Sequence, residues 1–382
     1  MFEIVDKQAS GAVIKVFGIG GCGGNAVDHM INKGVEGVDF VSANTDAQAL
    51  KRNKAKIQLQ LGTAITKGLG AGANPDIGRQ AALEDRERIA ELIAGADMLF
   101  VTAGMGGGTG TGAAPVVAEV ARELGILTVA VVTRPFAFEA KRLRLAQEGI
   151  EALSHHVDSV IVIPNDKLMH VLGEEVTVLD AFQAANNVLH GAVAGIAEVI
   201  NCPGLINVDF ADVRTVMSEM GMAMMGSAHA GGMERARIAA EQAVASPLLE
   251  DVNLAGARGV LVNVTAGYSL KMKEVHEVMH TIRGFTADEA TVIVGAVIDE
   301  AMQDSLRVTM VATGLGTPIV RTQAKPCLVQ KTGTDNAPYV NYGELDTPAV
   351  MRRRNRDAAI EAMKQSGVEL LDIPAFLRKQ AD

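Results

Sequence analysis

The chain has 382 residues, of which 48% are hydrophobic and 21% charged, and this composition excludes a chain that is disordered throughout or a small disulfide-stabilised protein. Its 35 basic and 45 acidic side chains give a formal net charge of −10, which disfavours direct binding to nucleic acid. Its three cysteines are widely separated and have no CxxC spacing, which is typical of a reducing cytoplasm.

The sequence offers no candidate for an export signal or a membrane-spanning segment. Its first eleven residues, MFEIVDKQASG, carry acidic side chains where an export signal has basic ones. No segment reaches the ~18 uninterrupted apolar residues that a spanning helix needs. We therefore expect a cytoplasmic protein without direct membrane insertion.

Five short apolar segments in the first part of the chain predict buried strands. They cover residues 13–19, 38–44, 97–104, 127–133 and 159–165. Their short length and β-branched residues favour strands over buried helices. Helical patterns at 79–94 and 113–124 lie between them. This alternation predicts a parallel sheet with helices on both faces, whose ligands bind at the carboxyl ends of the strands.

The second part of the chain predicts a bridging helix, a smaller α/β unit and a tail. The helical pattern over 178–200 is about six turns long. Strands at 259–267, 290–299 and 306–314, with a helix at 270–281, predict the smaller unit. The polar residues that follow predict a flexible tether, and the apolar residues after it a partner-docking peptide. The predicted divisions are 1–177, 178–203, 204–316, 317–367 and 368–382.

The first predicted strand runs into a glycine-rich loop, residues 18–25, that precedes a helical pattern. Backbone N–H groups of such a loop can surround an anion while the helix directs its positive end at it. Gly18, Gly20 and Gly23 also match the spacing of a dinucleotide-binding loop, and the acid that would bind the ribose could be Asp46. A nicotinamide-dependent oxidoreductase is therefore an alternative at this point.

A second glycine loop, residues 104–112, follows the strand at 97–104 and favours a different ligand. Two glycine loops at one sheet edge suit a chain of several phosphates, and the hydroxyls of Thr109 and Thr111 add donors. The GxxxxGK[ST] motif of P-loop proteins is absent. The sequence therefore favours a nucleoside triphosphate over a dinucleotide.

The run GGGTGTG at 106–112 resembles the signature of the tubulin/FtsZ family of GTPases, and specifically its bacterial cell-division branch. The resemblance covers nearly the whole chain, since further family motifs occur in the family's order: GIGGCGGNAV, GLGAGANP, PNDKL, NVDFADV and DIPAFLRKQAD. The resemblance implies a tubulin-like α/β fold, in which a parallel-sheet GTP-binding domain and a smaller α/β C-terminal domain are joined by a long central helix.

The same resemblance implies an activity and an assembly. We expect hydrolysis of GTP to GDP and phosphate, with Mg²⁺ held mainly by the nucleotide phosphates and water rather than by a protein metal site. We also expect head-to-tail protofilaments that form a division ring at mid-cell, at the inner face of the cytoplasmic membrane. A scaffold that polymerises without hydrolysis is a further alternative, distinguished by filaments that persist after GTP is exhausted.

By position, the resemblance implies which residues hold the nucleotide. The expected binding residues are Gly20, Gly21, Cys22, Gly23, Gly24, Asn25, Ala71, Gly72, Ala73, Gly104, Gly106, Gly107, Gly108, Thr109, Gly110, Glu139, Arg142, Phe182 and Asn186. Within this set, Glu139 matches the family's ribose-binding acid. Arg142 stands one position earlier than the family's nucleotide-binding arginine.

The identity of the nucleotide base and the role of the Cys22 thiol each leave two alternatives open. Phe182 and Asn186 resemble the residues that stack on and hydrogen-bond guanine, and Asn25 lies near the base. Because amides can hydrogen-bond either purine, the preference for guanine rests on the resemblance. Cys22 occupies a position usually held by Gly or Ala in the cell-division branch, either as a small packing residue or as an oxidation-sensitive thiol.

The expected catalytic residues are Asn207, Asp209 and Asp212, in the motif NVDFADV. The i, i+3 spacing places both carboxylates on one face of a helix, although helix capping is the alternative reading. Since the bridging helix starts near the nucleotide and is about six turns long, these residues should lie on the opposite side of the molecule. The resemblance then implies a GTPase site completed between adjacent subunits.

The chain ends in a segment that resembles the family's conserved tail peptide. The residues expected to dock are Asp372, Ile373, Pro374, Phe376, Leu377 and Arg378. Its apolar side chains could enter a hydrophobic groove of a partner, with the arginine at an acidic rim. The implied partners are membrane-tethering division proteins and assembly regulators.

Overall fold

A computed structural model describes residues 11–173, 177–201, 208–219, 221–249, 256–287 and 290–315. All of them belong to one compact unit of the chain, Met1–Arg321. Asn207, the predicted tether and the predicted docking peptide lie outside the described residues. Within the described residues, no helix is both long and apolar enough to cross a lipid bilayer.

Strands and helices alternate along most of the chain. The strands are β1 Ile14–Ile19, β2 Val38–Asn44, β3 Ile57–Gln60, β4 Met98–Gly104, β5 Leu127–Arg134, β6 Ser159–Pro164, β7 Gly221–Gly231, β8 Gly259–Ala266, β9 Thr291–Ile298 and β10 Ser305–Leu315. The helices are α1 Gly20–Asn32, α2 Ala47–Arg52, α3 Thr63–Thr66, α4 Pro75–Glu84, α5 Arg86–Ile93, α6 Thr109–Glu123, α7 Ala140–Ser154, α8 Asn165–Leu172, α9 Val178–Asn201, α10 Phe210–Met217, α11 Arg235–Val244 and α12 Met272–Arg283.

The strands form one ten-stranded sheet in the order β3-β2-β1-β4-β5-β6-β7-β10-β8-β9. The strands from β3 to β7 are parallel, β10 is antiparallel to both of its neighbours, and β8 and β9 are parallel. The carboxyl ends of the first six strands therefore meet at one edge, and their amino ends meet at the opposite edge.

The central parallel strands β1, β4, β5 and β6 are buried on both faces, which explains their continuous apolar sequences. Successive strand residues point to opposite faces. Phe17 and Val101 pack in the cluster that includes α4, α5 and α6. Val16 and Phe100 pack in the cluster that includes α1 and α9. The two glycine loops are thereby fixed at the edge of a sheet held between two helical layers.

The structure differs from the sequence prediction in several elements. The helix predicted over 79–94 is two helices, α4 and α5, that meet at Asp85, whose buried carboxylate accepts a hydrogen bond from the N–H of Gly62 at 2.7 Å. Helix α6 begins at Thr109 rather than at 113, so part of the second glycine loop is its first turn. The strands β3 and β7 and the helices α2, α3, α7, α8 and α11 were not predicted.

Candidate functional site

Two cavities adjoin at the carboxyl edge of the parallel strands. One measures about 300 Å³ and lies between the start of α1 and the loop that leads into α6, where Gly21, Gly107 and Thr109 line it. The other measures about 380 Å³ and extends along the start of α9, past Phe182 and Asn186. Cys22, Thr133, Asn165 and Phe182 line both cavities.

The smaller cavity has the features of a phosphate site, and we call it the phosphate cavity below. Helices α1 and α6 both begin at it. Among the described side chains none caps either helix, and neither first turn holds an acidic residue. Their first N–H groups and their positive dipole ends therefore remain available to an anion.

The glycines of the two loops divide into two groups. A Cβ atom at Gly23 would lie 2.3 Å from the carbonyl oxygen of Thr102, and one at Gly110 would lie 2.5 Å from that of Gly104. Such contacts are too short for any side chain. At Gly21 and Gly107, by contrast, a Cβ would meet nothing within 4 Å. The first two positions are glycine because backbones pack closely there, whereas the last two leave space for a ligand.

Several expected binding residues support the cavities without lining them. Gly23 and Gly24 belong to the packed side of α1, where the carbonyl oxygen of Gly24 accepts a hydrogen bond from the side chain of Asn53 at 2.9 Å. Gly106 has φ of 89° and lies against the backbone of Arg142. Ala71 adjoins Gly108. Gly72 and Ala73 are exposed in the same loop.

Of the two loop threonines, one lies where the sequence predicts and the other does not. Thr109 lines the smaller cavity, and its hydroxyl lies 2.6 Å from that of Thr45 at the end of β2. The hydroxyl oxygen of Thr111, however, accepts a hydrogen bond from the N–H of Gly106 at 2.9 Å, and Thr111 does not line either cavity. Its role is to hold the loop rather than to add a donor to the site.

Glu139 and Arg142 form an ion pair at the rim of the smaller cavity. The carboxylate of Glu139 also accepts a hydrogen bond from the N–H of Phe136 at 3.1 Å. The guanidinium of Arg142 donates to the carbonyl oxygen of Gly106 at 3.3 Å. Both side chains line the cavity, so the early position of the arginine in the sequence does not remove it from the site.

Asp46 does not serve a dinucleotide site. Its carboxylate caps α2 by accepting hydrogen bonds from the N–H groups of Gln48 and Ala49 at 2.8 and 3.2 Å. It lines neither cavity. The acid that a nicotinamide enzyme would use for its ribose is therefore engaged in local structure, and this alternative loses one of the two observations that supported it.

The larger cavity contains residues that the sequence reasoning missed. Leu179, Gln183, Thr133 and Asn165 line it together with the expected Asn25, Phe182 and Asn186. Asn165 is only 7% exposed, and its buried Oδ1 has no hydrogen-bond partner among the described residues. The sequence signal for it was the motif PNDKL, in which the asparagine directly follows β6 at the carboxyl edge.

The two aspartates lie at the other edge of the sheet. Asp209 caps α10, and its Oδ1 accepts a hydrogen bond from the N–H of Asp212 at 2.9 Å. Both residues are exposed. Arg214 of the same helix donates to the carbonyl oxygen of Gly125 at 3.1 Å, just before β5 begins. Helix α10 therefore packs at the amino end of β5.

Helix α9 leads from one edge to the other. It begins at the larger cavity, and at its last residue Asn201 donates a hydrogen bond to the carbonyl oxygen of Gly37 at 2.7 Å, just before β2. Its 24 residues span about 36 Å at the standard helical rise. The carboxylates of Asp209 and Asp212 therefore cannot reach the cavities of their own subunit.

Comparison with known families gives two matches. The model of the tubulin/FtsZ family GTPase domain matches residues 13–173. The model of the FtsZ family C-terminal domain matches residues 221–316. Among curated proteins, the cell division protein FtsZ of Pseudomonas aeruginosa is 58% identical over 100% of both chains. That of Coxiella burnetii is 58% identical over 99% of both.

Solved structures agree with these sequence matches. An empty FtsZ dimer from M. jannaschii has a TM-score of 0.77 and 45% identity, and the match covers 81% of this chain and 89% of that one. CetZ2 from Haloferax volcanii, at 19% identity and a TM-score of 0.67 over 80% and 94% of the two chains, shows the fold alone. The tubulin-like fold expected from the sequence is confirmed, and the chain belongs to the tubulin/FtsZ family, as a GTP-binding and GTP-hydrolysing cytoskeletal protein of cell division.

Proposed function

We propose that this chain hydrolyses GTP at a site that two copies complete by stacking head to tail. The observation that carries the proposal is the position of Asp209 and Asp212 at the amino edge of the sheet, while the phosphate cavity lies at the carboxyl edge. One subunit would bind the nucleotide in its cavities, and its neighbour would supply the carboxylates of Asp209 and Asp212.

Exposed apolar side chains near the cavities support a contact on this face. Leu69, Phe138 and Leu179 are 85%, 80% and 69% exposed. Leu69 precedes the loop that adjoins Gly108, Phe138 is next to Glu139, and Leu179 lines the larger cavity. Since exposed apolar surface is typical of protein contact sites, we propose that these three side chains contribute to the contact between subunits. A contact between two different faces is heterologous, so it continues as a filament instead of closing as a dimer.

The chemistry divides between the two subunits. The N–H groups at the starts of α1 and α6 would hold the phosphates and stabilise the charge that develops on the transferred phosphoryl group. The carboxylates of Asp209 and Asp212 from the neighbour would orient the attacking water and accept its proton. The bond from water to the terminal phosphorus forms as the bond to the leaving GDP oxygen breaks.

Mg²⁺ is proposed to accompany the nucleotide. Among the described residues, the one carboxylate that lines the phosphate cavity is Glu139, which pairs with Arg142. This set fits Mg²⁺, which commonly binds through substrate phosphates and water with few protein ligands. When bound, the ion would supply charge neutralisation on the phosphates.

Guanine is proposed to occupy the larger cavity, beside Phe182. The amides of Asn25, Asn165 and Asn186 line this space and can hydrogen-bond a purine edge. The buried, unpartnered Oδ1 of Asn165 is suited to accept a hydrogen bond from a ligand N–H or O–H group.

The remaining proposals concern assembly in the cell. We propose that the protofilaments form the division ring at the inner face of the cytoplasmic membrane, and that the peptide with Ile373, Phe376 and Leu377 docks on membrane-tethering partners and assembly regulators. Loss of the terminal phosphate removes contacts at the subunit junction, so hydrolysis would weaken the filament and couple GTP consumption to turnover.

The test is phosphate release per molecule as a function of protein concentration, with GTP and Mg²⁺ in excess. A shared site requires stacking, so specific activity should be close to zero at high dilution and rise steeply above a threshold. The Asp212→Ala variant at the highest concentration gives the baseline. Specific activity that is constant across the dilution series contradicts the proposal, because it places the complete site in one subunit.

A further inference from the structure

Cys22 lies where the two cavities meet. It is the third residue of α1 and lines both cavities. It is a half-buried free cysteine, and its sulfur lies 3.6 Å from the hydroxyl oxygen of Thr133. Because Cys22 lines both the phosphate cavity and the larger cavity, a nucleotide that spans the two cavities must pass this side chain.

The side of Cys22 that faces the end of β4 is tightly packed against Gly104. A Cβ atom at Gly104 would lie 2.6 Å from the Cβ of Cys22 and 3.0 Å from its sulfur. A group attached to the sulfur therefore cannot extend toward β4. The cavities that Cys22 lines offer the space for such a group, and there it would occupy the space of a ligand.

A second residue shows independently that this space is made for a ligand. Asn165 lines the same two cavities and is 7% exposed, and its Oδ1 has no partner among the described residues. Buried polar atoms are normally hydrogen-bonded, so an orphaned acceptor in a cavity wall indicates a missing donor from a bound molecule.

We expect the thiol of Cys22 to react slowly in the free protein. Burial raises the pKa of Cys22 above its usual value, while the hydroxyl of Thr133 and the charge of Arg142 act in the opposite direction. Since the thiolate is the nucleophile, reaction at neutral pH should be slow. Sulfur is a soft nucleophile, so it should react best with soft carbon electrophiles.

We propose that Cys22 is a modification site for small α,β-unsaturated carbonyl compounds, and that its adduct and a bound nucleotide exclude each other. In the reaction the sulfur forms a bond to the β-carbon. The C=C π electrons move to the carbonyl as an enolate, and the proton lost by the thiol ends on the α-carbon. No oxidant or reductant is needed. The inference rests on the placement of the nucleotide in these two cavities.

The test measures the rate at which N-ethylmaleimide labels Cys22 in the full chain, with and without GDP. The variant Cys202→Ser/Cys327→Ser retains Cys22 as its one thiol, and mass spectrometry of the digested protein locates the adduct. GDP at about 100 times its Kd leaves about one molecule in a hundred free, so labelling should slow by about 100-fold.

The reverse experiment measures GDP binding after labelling. The protein labelled at Cys22 should lose GDP binding, measured by equilibrium dialysis. In the Cys22→Ala variant, which keeps Cys202 and Cys327, treated and untreated samples should bind GDP equally. This control separates the adduct at Cys22 from reaction elsewhere on the chain.

Three results would overturn the inference: equal labelling rates with and without bound GDP, unchanged GDP binding by the labelled protein, or no adduct at Cys22 in the GDP-free protein. Each can occur while phosphate release still depends on protein concentration, in which case the shared-site proposal stands. If untreated protein binds no GDP, both proposals fail together.

Discussion

The glycines of the two loops have different neighbours, although they look alike in the sequence. Gly23 and Gly110 leave no room for a side chain, because backbone carbonyl oxygens lie against them. Gly21 and Gly107 face open space at the cavity. A sequence pattern predicts that such a loop binds an anion, but only the packed structure shows which glycines serve the ligand.

The substitution Gly107→Ser tests this distinction. A Cβ at Gly107 meets nothing within 4 Å and Gly107 lines the phosphate cavity, so the free protein should be as stable as the unmodified chain. GTP binding should weaken at least tenfold, which corresponds to about 1.4 kcal/mol. Equilibrium dialysis with GTP gives the affinity, and thermal unfolding followed by circular dichroism gives the stability.

Gly231→Ser is the matched control. A Cβ at Gly231 also meets nothing within 4 Å, and Gly231 lies at the end of β7, lining neither cavity. The control should bind GTP with unchanged affinity. Equal affinities for Gly107→Ser and Gly231→Ser would show that the phosphates do not occupy this cavity.

The aspartates show that a structural and a functional reading can both apply to one motif. Asp209 is the N-terminal cap of α10, as the capping alternative expected, through its hydrogen bond with the N–H of Asp212. This bond uses one oxygen of one carboxylate and leaves the side chain of Asp212 exposed. The capping role of Asp209 is therefore compatible with the proposed catalytic role of the two aspartates.

Among the elements, those buried on both faces were the most predictable. The strands β1, β4, β5 and β6 match their predicted bounds closely, because short, β-branched apolar runs are typical of strands covered on both faces. The bounds of β2 were also predicted, although its first three residues are half-buried or exposed. The strand β7 was missed because its sequence, GMAMMGSAHAG, mixes glycine, alanine and methionine with an exposed histidine. Its position depends on pairing with β10, which is distant in the chain.

The break between α4 and α5 was missed for a related reason. The sequence over 79–94 has an unbroken helical pattern, and Asp85 alone does not signal an end to it. The break becomes favourable because the carboxylate of Asp85 bonds the N–H of Gly62, 23 positions earlier. Likewise, no sequence pattern revealed that Asn165 would have an unpartnered oxygen between two cavities.

Helix α9 carries a pH-sensitive contact with α1. Burial lowers the pKa of His190, and the charges of His29, Arg307 and Lys33 act in the same direction, so that together they bring it to about 4. The ring of His190 lies edge-on to that of His29, with centroids 6.0 Å apart. The folded protein therefore holds this imidazole neutral in mildly acidic solution.

We predict that His190→Gln reduces the acid sensitivity of folding. In the unfolded chain this histidine binds a proton below pH of about 6.5, whereas the folded chain does not bind it until about 4. Stability from this group is therefore present above pH of about 6.5 and is lost as the pH falls toward 4. Urea unfolding, followed by circular dichroism at several pH values, measures the slope.

The control is the same substitution at His155, an exposed residue that follows α7. His155→Gln should leave the slope unchanged, and His190→Gln should make it shallower between pH of about 6.5 and 4. If both variants lose stability as steeply as the unmodified chain, His190 does not make this contribution.

At the scale of the whole molecule, the two halves of the proposed site occupy opposite edges of one sheet. This separation follows from two features that a sequence can reveal, parallel strands with a common direction and a helix of about six turns between the half-sites. The contacts of Asn201 with Gly37 and of Arg214 with Gly125 place the far half at the amino ends of the strands. Head-to-tail stacking is the arrangement that brings the two halves together.

The most direct measurement mixes two variants that lack different halves of the site. Gly107→Ser retains the carboxylates but should bind GTP poorly, and Asp212→Ala retains the cavities but lacks one carboxylate. Each alone should release little phosphate. In an equimolar mixed filament, about a quarter of the junctions join an intact cavity to an intact aspartate pair, so turnover should recover to about that share.

A chain that carries both substitutions, mixed with Asp212→Ala, is the control and should restore nothing. Phosphate release is measured at one total protein concentration, above the threshold for the unmodified chain. A shared site predicts that the mixture of single variants exceeds the mean of its separate components several-fold. A mixture that only equals that mean would contradict the account, since each subunit would then hold its complete site alone.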